Sequence, residues 1–240
     1  MDYKKVFYEK YVLAHARNMY GEQSLEKVER EFSAWKNFFG PFLPNNIDAH
    51  ILDLGCGDGG FVYFLRSLGF TSVEGVDASE EQVKEARRLG ISGILLGDAL
   101  AFLRTRKSSY DLIFARDLIE HLMKEEITAL FPAVLESLHS GGMFIVQTLN
   151  AESLLGARLR YADFTHDVSF TQSSIRQIFG AFGFTGIRVY PMRPAVRGPV
   201  SFMRYCAWRV IELFLHLYLI AATGYRKGIY TQDILCVAKK

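Results

Sequence analysis

Residues 51–61 contain the most chemically specific pattern of the chain, an apolar run that ends in a glycine-rich loop. The run reads Ile-Leu-Asp-Leu, and glycines follow at positions 55, 57, 59 and 60. Glycine adopts positive φ values and lets a ligand approach the backbone to van der Waals distance. A buried strand followed by such a loop is typical of nucleotide binding. We therefore expect a nucleotide-like cofactor at this position.

Acidic residues around the loop distinguish between two cofactor classes. The loop alone also matches the G-x-G-x-x-G fingerprint of nicotinamide and flavin enzymes. Asp53 favours S-adenosylmethionine, because a carboxylate there can hold an ammonium group that nicotinamide dinucleotides lack. Asp77 ends the second predicted strand, where it can accept both ribose hydroxyls of either cofactor. Asp98 follows the third predicted strand, where an acidic side chain can take the adenine amino group.

A second group of polar residues follows the fourth predicted strand. Asp117, Glu120 and His121 lie at its carboxyl end, the edge where open α/β sheets bind ligands. Positions three and four apart share a helix face, so the three side chains can face one point. His166 lies in a polar stretch after the fifth strand, on the same edge. Because an unperturbed histidine has a pKa near neutrality, His121 and His166 are candidate general bases.

The elements that must position these residues alternate between strand and helix, which predicts a parallel, doubly wound sheet. A polar stretch from 150 to 171 separates this alternation from the last elements. The predicted strands cover 49–54, 72–76, 93–96, 110–115, 142–149, 185–191 and 230–238. The predicted helices cover 3–20, 24–39, 58–68, 79–89, 99–106, 124–138 and 173–182.

Taken in order, these motifs resemble class I S-adenosylmethionine-dependent methyltransferases over roughly residues 48–150. The motifs are Asp53-Leu-Gly-Cys-Gly-Asp-Gly59, Asp77, Gly-Asp98-Ala, Tyr-Asp111-Leu-Ile-Phe and Glu120-His121-Leu. The resemblance implies a Rossmann-like sheet of seven strands in the order 3-2-1-4-5-7-6, with the last strand antiparallel. It also implies cofactor contacts from Asp53, Gly55, Cys56, Gly57, Asp77, Ala78, Asp98, Ala99 and Arg116.

The second group also resembles methyltransferases that hold a divalent ion between two carboxylates, the following histidine and a distant histidine. That resemblance implies a site for Mg²⁺ or another divalent metal at Asp117, Glu120, His121 and His166. Such an ion would lower the pKa of an acceptor hydroxyl. Glu-His-Leu also occurs in methyltransferases without a metal, where it caps a helix or lines the pocket. Asp117, His121 and His166 are the catalytic candidates in either case.

Charge and cysteine content suggest where the protein works. Residues 193–228 carry six basic residues and one acidic residue, a local charge of +5, so the rest of a chain of net charge +2 carries −3. Local basicity in an apolar segment favours a membrane surface or an anionic ligand over nucleic acid. Three cysteines without ligand-like spacing indicate neither a disulfide framework nor a zinc site. The charged N-terminus does not resemble a signal peptide, so we expect a cytoplasmic location, with the inner face of the membrane as an option.

The most apolar segment, 201–222, has four open interpretations. Arg204, Arg209 and Glu212 interrupt it, so its uninterrupted run falls short of the ~20 residues that span a bilayer. The segment can form an interfacial membrane helix, a dimer contact, a lid over an apolar acceptor pocket, or a helix buried in its own domain.

These patterns predict an N-terminal helical cap at 1–46 and a methyltransferase domain at 47–240. Acceptor-side insertions are expected at 151–172 and 193–228. Residues 163–171 resemble bacterial enzymes that methylate hydroxyls of cell-surface polysaccharides or their lipid-linked precursors, which implies a glycan or lipid-linked acceptor. The alternatives are a quinone or prenylated phenol O-methyltransferase at the membrane, a module that binds the cofactor without turnover, and a dehydrogenase.

Overall fold

A seven-stranded sheet organises the chain in the computed structural model, which describes residues 23–240. The strands are β1 Ile51–Leu54, β2 Val73–Asp77, β3 Ile94–Leu96, β4 Tyr110–Arg116, β5 Leu138–Leu149, β6 Thr185–Pro191 and β7 Asp233–Lys239. The helices are α1 Leu25–Phe39, α2 Gly60–Ser67, α3 Glu80–Arg88, α4 Ala99–Arg104, α5 Lys124–Ser137, α6 Gly156–Arg160, α7 Gln172–Ala181 and α8 Pro199–Thr223. Short 3-10 turns cover Gly40–Phe42 and Ile119–His121.

The strand order is β3-β2-β1-β4-β5-β7-β6, as predicted. β1 pairs in parallel with β2 and β4, while β7 runs antiparallel between β5 and β6. The carboxyl ends of the parallel strands therefore meet at one edge. The predicted helix at 3–20 lies outside the described residues.

The central strands are apolar because helices cover both faces of the sheet. All four residues of β1 are buried, which is the burial expected of a parallel strand at the centre of an α/β sheet. Aromatic side chains dominate both layers. On one side, Phe39, Phe61 and Phe114 meet with ring centres 4.9 to 5.7 Å apart. These contacts join α1, α2 and β4 into one layer.

The strand boundaries differ from the prediction at β5 and β7. β5 begins at Leu138, directly after α5, whereas its apolar pattern begins only near Met143. Leu138 still pairs with Tyr110 before the register shifts, so backbone pairing extends the strand beyond the part that the side chains indicate. β7 begins at Asp233 because residues 224–232 form the return from α8.

Helix α8 is exposed along most of its length, and Glu212 is its one buried residue. The interpretation as a helix buried in its own domain is therefore wrong. Among the described residues, α8 is the one helix that has the length and apolar composition to cross a membrane. The membrane, dimer and lid interpretations stay open.

The second aromatic layer gives a stability prediction. Phe179 is fully buried, and its ring centre lies 5.0 to 5.4 Å from those of Phe131, Phe144 and Phe184. Phe179→Ala should lower the free energy of unfolding by about 3–5 kcal/mol, since it removes apolar contacts and leaves a cavity. Denaturant unfolding measures this loss. Tyr161→Ala, at a site that is 80% exposed, is the control and should change stability by less than about 0.5 kcal/mol. Equal effects of the two substitutions would contradict the assignment of this core.

Candidate functional site

A cavity of about 770 Å³ opens at the carboxyl edge of the sheet. Its walls come from the ends of β1, β2 and β4 and from one face of α1. All nine residues expected to contact the cofactor line it: Asp53, Gly55, Cys56, Gly57, Asp77, Ala78, Asp98, Ala99 and Arg116. The structure thus brings together residues from four separate loops. Their direct contact with a cofactor stays a prediction.

The glycine loop is held to the neighbouring strand by the Asp77 carboxylate. Gly57 has a φ of 56°, in the left-handed region, and its N–H donates to Asp77 Oδ2 at 2.8 Å. Asp77 Oδ1 accepts from the Ser79 N–H, also at 2.8 Å. Burial raises the pKa of Asp77, while the two N–H groups act in the opposite direction. Asp77 therefore shapes the loop as well as lining the cavity, a role that the sequence analysis missed.

Asp98 likewise has a local structural role. Its Oδ1 accepts from the Ala101 N–H at 2.7 Å and so caps the N-terminus of α4. Because Asp98 also lines the cavity, the cap holds the carboxyl group at the rim where an adenine amino group was expected.

Helices α1 and α2 add aromatic walls that the sequence analysis did not assign. The Arg116 guanidinium carbon lies 4.4 Å from the ring centre of Phe61, 4.9 Å from that of Trp35 and 5.5 Å from that of Phe39. A cation over aromatic faces is electrostatically stabilised. Arg116, Trp35 and Phe61 all line the cavity, so the stack fixes the guanidinium in its wall.

The expected ligand set Asp117, Glu120, His121 and His166 does not gather around one point. Asp117 accepts from Gln147 Nε2 at 3.0 and 3.1 Å, and Glu120 Oε2 accepts from Thr148 Oγ1 at 2.9 Å. Consecutive strand residues point to opposite faces of a sheet, so β5 draws the two carboxyl groups to different sides. The prediction assumed a helical turn from Asp117, but this residue has a φ of 50° and precedes the 3-10 turn.

Burial affects both of these carboxyl groups. It raises the pKa of Glu120 well above the usual value, and the nearby Asp117 raises it further. The pKa of Asp117 is raised by burial as well, against the lowering effect of Arg116. The neutral form of Glu120 is therefore favoured, and its carboxyl group is held by Thr148, whereas Asp117 also lines the cavity.

A different carboxylate joins the two histidines. One ligand atom each from His121, Asp163 and His166 lies within 4.8 Å of the other two. The two imidazole ring centres are 4.6 Å apart. His166 does not line the main cavity, and its Nδ1 donates to the Leu159 carbonyl at 3.1 Å. The sequence analysis missed Asp163 as a member of this group.

Thr165 connects His121 to Asp163. His121 Nδ1 lies 2.8 Å from Thr165 Oγ1, which lies 2.7 Å from Asp163 Oδ1. The single hydroxyl hydrogen of threonine goes to the carboxylate, since a carboxylate only accepts, so the hydroxyl accepts from the imidazole N–H. His121 therefore carries its proton on Nδ1 and its lone pair on Nε2. His121 also lines the cavity.

Backbone hydrogen bonds fix this relay. The N–H groups of Asp167 and Val168 donate to the Glu120 carbonyl at 2.8 and 3.2 Å. Asp163 Oδ1 accepts from the Thr165 N–H at 2.8 Å, a turn in which aspartate bonds two residues ahead. The spacing Asp-x-Thr was the available sequence signal for this turn. Its contact with His121 spans 44 residues and was not visible in the sequence.

A family model for the methyltransferase domain matches residues 24–189. The chain belongs to the methyltransferase domain family. It is a class I S-adenosylmethionine-dependent methyltransferase, as its motifs predicted, and the dehydrogenase alternative is wrong.

Solved structures and curated proteins are similar to this methyltransferase over all or part of its length. A methyltransferase from Archaeoglobus fulgidus superposes over the full length of both chains, with a TM-score of 0.67 and 21% identity. Phosphoethanolamine N-methyltransferase 2 from Haemonchus contortus has a TM-score of 0.65 and 18% identity over 97% of this chain and 60% of its own. Cyclopropane-fatty-acyl-phospholipid synthase from Escherichia coli is 29% identical over 102 residues, 42% of this chain. The match spans 26% of that synthase.

The cavity of the methyltransferase fits the amino acid end of S-adenosylmethionine. Asp53 is buried, and among residues 23–240 no hydrogen-bond partner satisfies its Oδ1. Burial raises the pKa of Asp53 to about 7, although Arg116 lowers it. A buried carboxylate oxygen in a cavity wall suits a ligand ammonium group, whose positive charge favours the ionised form.

Cofactor affinity should therefore depend on pH through Asp53. A bound ammonium lowers the pKa of Asp53, so binding releases a proton and weakens as the pH falls below about 7. From about pH 7 to about pH 5.5, affinity should fall by up to about tenfold per pH unit. Calorimetric titration with S-adenosylmethionine measures this slope. Asp53→Asn should flatten it.

Asp48→Asn is the control, because Asp48 is exposed and bonds to Thr71 outside the cavity. This variant should keep the wild-type slope. If Asp53→Asn also keeps it, another carboxyl group is responsible.

Proposed function

We propose that this methyltransferase methylates a hydroxyl group of an amphiphilic acceptor, a bacterial lipid-linked glycan precursor, and that His121 removes the hydroxyl proton. The observation that carries the proposal is the hydrogen-bonded relay from His121 through Thr165 to Asp163 at the cavity. S-adenosylmethionine supplies an activated methyl group when it is bound. The protein then has to align the acceptor and take its proton.

The relay suits His121 to that task. Its Nδ1–H is held by Thr165, so Nε2 is the nitrogen that can accept a proton from the acceptor hydroxyl. The resulting imidazolium is stabilised by the Asp163 carboxylate through the threonine hydroxyl, since hydrogen-bonded groups polarise one another. Asp163 and Thr165 are positioning residues in this scheme.

One relative supports an amphiphilic acceptor. The Escherichia coli synthase is named for a fatty-acyl phospholipid. The exposed apolar surface of α8 and the local charge of +5 around it suit an acceptor with a hydrocarbon tail and an anionic group.

A quinone or prenylated phenol is the second candidate acceptor. Leu118 and Leu122 line the cavity on either side of the turn that bears His121, which favours an apolar ring over a sugar. Parallel assays with lipid-linked oligosaccharides and with prenylated phenols separate the two classes.

The same histidines could instead hold a metal. Both Nδ1 atoms are engaged, with Thr165 and with the Leu159 carbonyl, as in metal sites where the second nitrogen of each histidine is the ligand. Two imidazoles and one carboxylate suit Zn²⁺, Mn²⁺ or Fe²⁺ better than Mg²⁺. A bound ion would acidify the acceptor hydroxyl at this position. Metal-free catalysis by His121 predicts full activity in chelator, whereas loss of activity that added metal restores would assign the group to an ion.

The role of His121 gives a kinetic prediction. His121→Ala should lower kcat by about 10²- to 10⁴-fold, because it removes the general base, and should leave S-adenosylmethionine affinity unchanged. Release of S-adenosylhomocysteine in the presence of lipid-linked oligosaccharide measures kcat, and calorimetry measures affinity.

His139→Ala is the matched control. His139 pairs with Asp111 at 3.0 Å near the start of β5, away from the cavity, so this variant should retain wild-type turnover. Undiminished activity of His121→Ala would exclude the base. Cofactor binding without turnover on every acceptor would favour the non-catalytic module.

Thr165 allows a finer test of the relay. Thr165→Val removes the hydroxyl and should reduce kcat and move the acidic limb of the pH–rate profile to lower pH, since the imidazolium loses its link to Asp163. Thr165→Ser keeps the hydroxyl and should restore both the rate and the profile. If valine and serine variants behave alike, Thr165 only packs against His121.

A further inference from the structure

Helix α8 presents a largely apolar face to the outside. Its half-buried and buried positions, which face the protein, mix polar and apolar residues: Ser201, Tyr205, Trp208, Glu212, Leu215, His216 and Leu219. Its exposed positions are largely apolar and include Phe202, Met203, Val210, Leu213, Phe214 and Leu217, each 53 to 66% exposed. A surface helix of a globular domain normally turns its apolar side inward. The outer face of α8 therefore suits an apolar environment outside the protein.

Specific contacts hold the inner side of α8 against the domain. Arg193 donates to the buried Glu212 carboxylate from Nε at 3.2 Å and from Nη2 at 2.9 Å. Tyr230 donates to the Leu215 carbonyl at 3.2 Å, and the ring of His216 packs edge-on against Tyr230 with centres 5.1 Å apart. The orientation of the helix is thus fixed by its own domain, and its apolar face is held outward.

Basic residues border this outer face. At 3.6 residues per turn, Arg204 and Arg209 lie on opposite flanks of the inward stripe, and both are exposed, although Arg209 also pairs with Glu212 at 3.3 Å. Arg226 and Lys227 follow the end of the helix and are also exposed. Apolar side chains with cations at the boundary match a bilayer surface, where the chains enter the acyl region and the cations meet lipid phosphates.

The charge distribution favours a bilayer over a second copy of this chain. A two-fold symmetric dimer through α8 would bring the same face, with the same arginines, against itself. Like charges across an interface are unfavourable, whereas an anionic lipid surface complements them.

The topology favours a helix that lies on the membrane rather than one that crosses it. The segment that contains α8 leaves from β6 and returns to β7, which are neighbours in one sheet. The middle of the helix is tied to Tyr230 just before β7. Both ends and the middle of α8 are therefore anchored to the same domain, so the helix cannot extend alone through a bilayer.

We infer that α8 is an interfacial anchor, which binds an anionic lipid bilayer through the outer face around Phe214 and Leu217. The inference is independent of the proposed acceptor. It also places the cavity near the membrane, because Arg197, at the start of the α8 segment, pairs at 3.1 Å with Glu31 in the cavity wall.

Vesicle sedimentation tests the anchor without cofactor or acceptor, so its outcome does not depend on the proposed reaction. The full chain should pellet with vesicles of phosphatidylcholine and phosphatidylglycerol, less with pure phosphatidylcholine, and less again at high salt. Phe214→Glu combined with Leu217→Glu should reduce the bound fraction at least about tenfold, because it puts charge into the apolar face. Ile47→Glu, at an exposed apolar site next to β1, is the matched control and should bind like the wild type.

Cys206 provides a second measurement that needs no amino-acid substitution. It is the exposed cysteine of α8, whereas Cys56 and Cys236 are buried. A polarity-sensitive maleimide on Cys206 should shift its emission to the blue when anionic vesicles are added. Absence of both pelleting and this shift would overturn the anchor. Equal loss of binding in the Ile47→Glu variant, or a dimer that the α8 substitutions dissociate without vesicle binding in the wild type, would overturn it as well.

Discussion

The guanidinium group of Arg116 is the charge on which the carboxyl edge of the sheet depends. It lies at the end of β4, stacked on Phe61 and two further rings, and lowers the pKa of both Asp53 and Asp117. Burial of these carboxyl groups acts in the opposite direction, since desolvation disfavours the charged form. Without Arg116, the pKa of both carboxyl groups would rise further, which would weaken their attraction for a ligand ammonium. The aromatic stack thus supports cofactor binding indirectly, by fixing the cation that keeps Asp53 ionisable near neutral pH.

The sequence was sufficient to predict the sheet and the cofactor cavity. Alternation of strand and helix predicts a parallel, doubly wound sheet, and the carboxyl ends of its strands have to meet at one edge. Asp53 lies near the end of β1, Asp77 ends β2 and Asp98 follows β3, so their convergence required no knowledge of side-chain geometry. The resemblance to methyltransferases supplied the strand order and the antiparallel last strand, which the alternation itself does not specify.

The catalytic edge could not be predicted in the same way, because its geometry depends on single residues and on distant contacts. The left-handed backbone at Asp117 and the alternation of Gln147 and Thr148 separate two acids that helical spacing would have joined. Asp163 connects to His121 through Thr165, in a loop held by the Glu120 carbonyl. The histidine pair was foreseeable from its position on the edge, whereas the identity of its carboxylate depended on how that loop closes.

The outward apolar face of α8 belongs to a segment that begins next to the cavity. A buried Glu212 is costly unless its charge is paired, and Arg193 together with Arg209 of α8 supplies that pairing within the domain. The ion pair with Arg193 therefore fixes the rotation of α8 about its axis. The apolar side chains on its outer face lose the contacts that they would have made if they had faced the domain. The same segment begins beside Glu31 in the cavity wall. Under the proposed function, an acceptor with a hydrocarbon tail would keep its tail in the apolar phase next to α8 while its polar end enters the cavity that His121 lines, and the cofactor would enter from water. Donor and acceptor would approach one edge of the sheet from two different phases, which a helix buried in the domain could not arrange.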